Sequence, residues 1–224
     1  MDTLIKEIPE ELRQKRGWKV ELNGEAVENV FHLKIFNPKF GEVNYGMTPG
    51  GYDGWSFHGI GGGGVVTVPF SIIDGELYVG LVKQLRQNQG GEAWNVPRGF
   101  LNPNESHFKA AMREYEEEVR YLSPDRRVKP LEGENCNPNS AFFETAGKGE
   151  GVKYYSIEIL PIQLELDPEQ NAFKFKSGLL DPATKQAELI LKCRFFAWRK
   201  SVQVADMFTV AAVGRLLAAQ LVRF

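Results

Sequence analysis

Cysteine is scarce: Cys136 and Cys193 are the only two in 224 residues, far apart and outside any C-x-x-C spacing. Such a pair builds neither a disulfide scaffold nor a zinc site. His58 and His107 stand at no metal-ligand spacing and receive no role. There is no surplus of one charge, since 27 basic against 29 acidic side chains leave −2. That balance argues against a protein that coats nucleic acid. No apolar run reaches the ~18 residues of a membrane span. The opening segment, MDTLIKEIPEELRQKRG, has no apolar stretch of the secretory kind, so a reduced, cytoplasmic protein is expected. Internal repeats and low-complexity segments are also missing.

What is present is an ordinary globular mix: 42% hydrophobic, 25% charged and 12% aromatic residues, with fifteen Phe. This excludes dominant disorder and allows one generous domain, or one domain with an appendage. Residues 8–16 suit a short amphipathic helix, and 18–22 and 29–36 read as strands. A stretch rich in Gly, Asn and aromatics follows from Asn37 to Gly64. It ends in Gly61 to Gly64, which suit either a flexible connector or a close backbone approach. Strands VVTVPFSII and ELYVGLVKQL flank Asp74-Gly75, a hairpin turn, and Pro69 marks an edge or a bulge. EAWNVP reads as another strand, and a helix runs from the N-cap Ser106 to Val119. Strands return at 152–160 and 187–198, separated by long polar loops at 122–150 and 161–186. Asp206 can cap a last helix, apolar nearly all round, in which Gly214 implies a close packing contact. Strands in the middle with helices flanking them predict α+β with a mixed sheet.

The chemistry is concentrated in Gly99 to Tyr121. At about 100° per residue, Glu114, Glu117 and Glu118 fall within an arc of roughly 100°. Phe108, Met112, Tyr115 and Val119 fall on a separate face, expected to grip the core. Four carboxylates in five residues repel one another and lie near the negative end of the helix dipole. Either they form a solvated acidic face, or something positive compensates. Arg113 can serve one of them, and a hard divalent cation with oxygen ligands would serve the rest.

The spacing Gly-x5-Glu-x7-Arg-Glu-x-x-Glu-Glu resembles the signature box of the Nudix hydrolases. Six identities at set offsets arise by chance at on the order of 10⁻⁷ per starting position. The resemblance implies an α/β/α sandwich over roughly residues 62–222, with residues 61–224 as the hydrolase domain. Residues 1–60 would be a strand-rich extension that builds a homodimer and part of the substrate site. Arg120 and Tyr121 stand where the family pattern has glycine and then an aliphatic residue; losing that glycine predicts a different helix end or a longer helix. Gln84-Leu85-Arg86, and Pro97-Arg98-Gly99 with Asn95 in place of a Glu, look most similar to the ADP-ribose and nucleotide-sugar pyrophosphatase branch.

By that resemblance, Glu114 and Glu118 would bind Mg²⁺ (or Mn²⁺) directly, with the Gly99 carbonyl completing the set. Glu117 would hold a second ion, bind through water or orient the nucleophile. Glu105 and Arg113 would brace the loop against the helix. Arg86 and Arg98 are candidates for substrate contacts. Trp55 could stack on a base or ribose, whereas Trp94 suits core packing. The general base would be a loop acid outside the box, Glu188 or Glu144. The resulting expectation is cleavage of the diphosphate linkage in ADP-ribose or a nucleotide sugar, giving a nucleoside monophosphate and a sugar phosphate. A nucleoside triphosphate, dinucleotide or coenzyme substrate stays open, as does a non-catalytic nucleotide-binding module.

Overall fold

The computed structural model describes residues 18–22, 24–30, 32–39, 41–47, 53–86, 91–121, 127–131, 151–180, 190–203 and 207–221. The helix expected over 8–16, Cys136, Asp206 and the loop acids Glu144 and Glu188 lie outside them.

Three antiparallel hairpin-type ladders open the chain. Strands β1 (Trp18–Leu22) and β2 (Glu25–Val30) make a two-stranded sheet. Strands β3 (His32–Asn37), β4 (Gly41–Met47) and β5 (Asp53–Gly59) make a three-stranded one. The segment expected as one strand over 29–36 is therefore two, and much of the Gly- and Asn-rich stretch 37–64 is strand. The remaining strands are β6 (Gly63–Ile73), β7 (Glu76–Arg86), β8 (Gly91–Asn95), β9 (Arg98–Phe100), β10 (Arg127–Pro130), β11 (Gly151–Glu158), β12 (Leu164–Asp167), β13 (Ala172–Phe175) and β14 (Ile190–Ala197). They form one nine-stranded sheet in the order β10-β11-β6-β7-β14-β13-β12, with β8 on β7 and β9 on β6. The β6–β11 pair is parallel and the other pairs are antiparallel, which is the mixed sheet expected.

Alternation along the central strands splits the core into two layers. Val66, Val68 and Phe70 of β6, with Val79 and Leu81 of β7, pack under Ala212, Val213 and Leu216 of the closing helix Met207–Leu221. On the opposite face Val65, Val82, Tyr155 and Ile157 meet the acidic helix His107–Val119 through Ala110, Ala111, Tyr115 and Val119. Helix, sheet and helix make the expected α/β/α sandwich. Trp94 packs against the core and meets Phe196 edge-on at 5.0 Å. Cys193 is buried, and burial pushes its thiol up to about 12.

Several expectations are corrected. The described part of the span expected as a loop over 161–186, residues 161–180, holds regular structure: a 3-10 turn, Pro161–Gln163, leads into the β12–β13 hairpin, tied to β14 by Arg194 Nε donating to Asp167 at 2.5 Å. The apolar positions of LELD and AFKF make that ladder, and Asn171 turns it with φ 47°. Gly61 and Gly64 do not bracket a slack connector, since Gly63 and Gly64 are in β6 and a Cβ on Gly63 would overlap the Gly151 carbonyl. Pro69 does mark the local edge expected of it, although β6 as a whole is an interior strand. The N–H of Thr67 points from β6 to the Pro97 carbonyl at 2.8 Å. Two residues on, Pro69 faces the same side, in the gap between β9 pairing at Val66 and β7 pairing at Phe70. Gly214 touches nothing a Cβ would meet and is exposed, because the closing helix buries one side only.

Ser106 caps the acidic helix, its hydroxyl accepting from the Lys109 N–H. Arg120 ends it. The residue adopts the left-handed region at φ 63°, ψ 20°, and its N–H donates to the Glu116 carbonyl at 3.1 Å. The helix thus stops where a glycine would stop it and in the same left-handed conformation, so neither the different end nor the longer helix expected is found, and Tyr121 goes on to stack on Phe175. A Cβ in this region is disfavoured by roughly 1 kcal/mol. Arg120→Gly is therefore expected to raise the melting temperature by about 2–4 °C, measured by calorimetry.

Candidate active site

The strand β9 runs beneath the acidic helix and carries Gly99 to its carboxylates. A Cβ on Gly99 would overlap the carboxylate of Glu114, so any larger residue here would displace that carboxylate. One residue earlier, the Arg98 backbone N–H donates to Glu118 Oε2 at 3.1 Å. Glu114 and Glu118 are only 9% and 4% exposed. They do not form a face of their own. On the helix they lie between Ala110 on one side and Ala111, Tyr115 and Val119 on the other, on the side packed against the sheet. Phe108, expected in the core, is instead 52% exposed and meets Tyr155 edge-on. Met112 is only half-buried.

Arg113 is the local cation. Its Nε donates to Glu105 Oε1 at 3.0 Å and its Nη2 to Glu105 Oε2 at 2.9 Å, a two-pronged fork. Nη2 also donates to the Phe100 carbonyl, and Nη1 to Glu114 Oε1 at 2.5 Å and Glu117 Oε2 at 3.4 Å. The Asn102 N–H donates to Glu105 as well. Arg113, followed by that backbone bond, holds the Glu105 carboxyl below the ordinary glutamate range. The fork in turn raises Arg113 further above its own. One guanidinium thus ties the Phe100–Glu105 loop to Glu114 and Glu117.

Arg113→Met would leave these carboxylates to repel one another in a partly buried setting. Losing one partner of a buried pair costs about 3–5 kcal/mol, and the partial exposure of Arg113 brings this to about 2–3 kcal/mol. Thermal melts are expected to fall by roughly 5–10 °C. The depressed Glu105 carboxyl also sets a pH window. Its contribution is complete above the ordinary glutamate pKa and is lost as pH falls through the lower folded value. Stability of Glu105→Gln should therefore be less dependent on pH across that acid range than wild type.

Arg98 projects its guanidinium over the Phe208 ring of the closing helix at 4.4 Å, away from the carboxylates. Trp55 lies in β5 opposite Tyr45, and Arg86 ends β7; the side chains of both lie outside the described residues. As arranged, no three His, Cys, Asp or Glu side chains among the described residues converge to enclose a cation. The donor chemistry fits one nonetheless. Two buried carboxylates one turn apart repel, and both present hard oxygen ligands beside the Arg98–Gly99 strand.

The model of the NUDIX domain matches residues 65–176, half of the chain. The chain belongs to the Nudix family. Nudix hydrolases act on phosphoanhydrides. A Caenorhabditis elegans bis(5'-nucleosyl)-tetraphosphatase (asymmetrical) is 29% identical over 83 residues, 37% of this chain and 56% of that protein. The chain thus spans about half the length of that curated relative. Among solved structures, the C. elegans Ap4A hydrolase binary complex is 18% identical with TM-score 0.45, covering 72% of this chain and 98% of that one. The NUDIX domain of Shewanella oneidensis NrtR with ADP ribose is 16% identical with TM-score 0.42, covering 70% and 86%.

Three contributors to this cluster carried no signal in the sequence. They are backbone groups: the Arg98 N–H, the Phe100 carbonyl and the Asn102 N–H. Only the path of the chain puts them there. Among the described residues no helix is long and apolar enough to cross a membrane.

Proposed function

We propose that this chain is a divalent-metal-dependent hydrolase of a nucleoside diphosphate derivative, with ADP-ribose or a nucleotide sugar as the substrate. One observation carries the reading: Glu114 and Glu118 are buried together, one helical turn apart, against the Gly99–Arg98 backbone, where two like charges repel and a shared cation would stabilise both. Glu114, Glu118 and the Gly99 carbonyl would hold Mg²⁺ or Mn²⁺. Bound there, the ion neutralises charge on the diphosphate oxygens and lowers the pKa of a water. Glu117, more exposed and linked to Arg113, orients the attacking water or serves a second ion. Arg113 and Glu105 keep the loop in register with the helix. Glu188 or Glu144 removes the proton from the water, and Arg86 contacts the diphosphate. Arg98 acts through its backbone. The strand-rich segment 1–60 contributes the dimer contact and Trp55 to the substrate site; a strictly monomeric species in sedimentation at micromolar concentration would refute that part.

The curated relative supports a second reading, asymmetric cleavage of a dinucleoside tetraphosphate. Incubating the protein with Mg²⁺ and ADP-ribose, nucleotide sugars, dinucleoside polyphosphates and NTPs, and separating the products, decides between them. Nucleoside monophosphate plus sugar phosphate supports the first reading. Nucleoside monophosphate plus nucleoside triphosphate supports the second. No product from any compound rejects both in favour of a nucleotide-binding module.

A further inference from the structure

The two residues between β8 and β9, Val96 and Pro97, belong to neither strand, yet they lead directly into Arg98 and Gly99. Both are buried, so their backbone polar groups need partners other than water. The Pro97 carbonyl accepts from the Thr67 N–H at 2.8 Å and the Thr67 hydroxyl at 3.3 Å. The Val96 N–H donates to Thr209 Oγ1 at 3.1 Å. Thr209 is fully buried on the closing helix, on the far side of the sheet from the carboxylates. Its neighbour Phe208 lies under the Arg98 guanidinium. The same Arg98 offers its N–H to Glu118, and the next residue abuts Glu114.

We infer that Thr209, with Phe208, is a positioning residue: it holds the Val96–Gly99 corner from behind and so sets where Gly99 and the Arg98 N–H meet Glu114 and Glu118. The inference rests on the reading of these carboxylates as cation ligands. Neither side chain touches the reacting groups, and the closing helix acts through the strand. Supports of this kind are worth roughly 10–100-fold in metal affinity or rate.

The test measures Mn²⁺ binding by electron paramagnetic resonance, with kcat, KM and melting temperature alongside, on the full chain. Thr209→Val keeps shape but removes the acceptor; it should weaken Mn²⁺ binding by roughly tenfold and lower kcat with little change in KM. Thr209→Ser should restore both. Phe208→Leu, which keeps apolar packing, should weaken Mn²⁺ binding in the same direction. Val210→Ala, on the exposed side of the helix, should match wild type. A Thr209→Val protein that melts lower but binds Mn²⁺ as wild type overturns the inference, as does a Thr209→Ser protein that does not recover. Should Thr209→Val not fold, Mn²⁺ binding by Phe208→Leu equal to wild type overturns it. A wild type that holds Mn²⁺ yet cleaves no nucleotide rejects the proposed reaction, leaving this inference to the Mn²⁺ constants. A wild type that holds no Mn²⁺ overturns both.

Discussion

Glu118→Gln is expected to lower turnover by roughly a thousandfold while leaving the melting temperature unchanged or slightly raised. The two effects part company because of where Glu118 stands. A cation ligand at the site of charge development contributes several kcal/mol to the transition state; at about 1.4 kcal/mol per tenfold, that is roughly three orders of magnitude. Folding gains from the same change. Glu118 is 4% exposed, one turn from the buried Glu114 and near the negative end of the helix. Removing its charge ends a like-charge pair worth a few tenths of a kcal/mol and relieves the helix dipole. The amide oxygen of Gln can still accept the Arg98 N–H. Steady-state rates and calorimetry on one preparation check both halves. A variant that loses activity only in proportion to lost folded protein would assign Glu118 to structure.

The parts legible in sequence are those governed by neighbours along the chain. Asp74-Gly75 turns the β6–β7 hairpin because both residues take positive φ, 51° and 80°. Ser106 starts the acidic helix with a local hydrogen bond. Helical periodicity related only Glu114, Glu117 and Glu118 to one another, whereas the places of Gly99, Glu105 and Arg113 came from the resemblance to the Nudix box. The burial of that cluster was not legible. It depends on β9 crossing beneath the helix, a contact whose position the β6 pairing decides. The assignment of Phe108 to the core failed for the same reason. Ala110 and Ala111 let the helix approach the sheet on its small-residue side, which rotates the carboxylates inward and leaves Phe108 at the margin. The adjacent alanines were the available signal, and the larger side chains masked it. At Arg120 a local rule was overridden: packing of Tyr121 on Phe175 holds the turn that glycine ordinarily supplies.

Gly99→Ala is expected to reduce turnover by about a hundredfold, with a stability loss of only about 1–2 kcal/mol. Glycine is required here by close approach rather than by backbone conformation. The added methyl would occupy the volume of the Glu114 carboxylate. On one side β9 is fixed by its ladder to β6, with Gly99 opposite Val65. On the other, the helix is fixed by Ala110, Ala111 and Tyr115, all fully buried. The element free to yield is the end of the Glu114 side chain, which can swing toward Arg113. That displacement costs little in folding and much in chemistry, since a ligand moved by about 1 Å can cost roughly a hundredfold. Gly63→Ala gives the contrast. Its methyl would strike the Gly151 carbonyl, a backbone group that cannot rotate away without breaking the β6–β11 pairing. Gly63→Ala should therefore lower stability more than Gly99→Ala and, where folded, leave Mn²⁺ affinity closer to wild type. If Gly99→Ala keeps full turnover and Mn²⁺ affinity, Glu114 is not a ligand in the position the fold gives it.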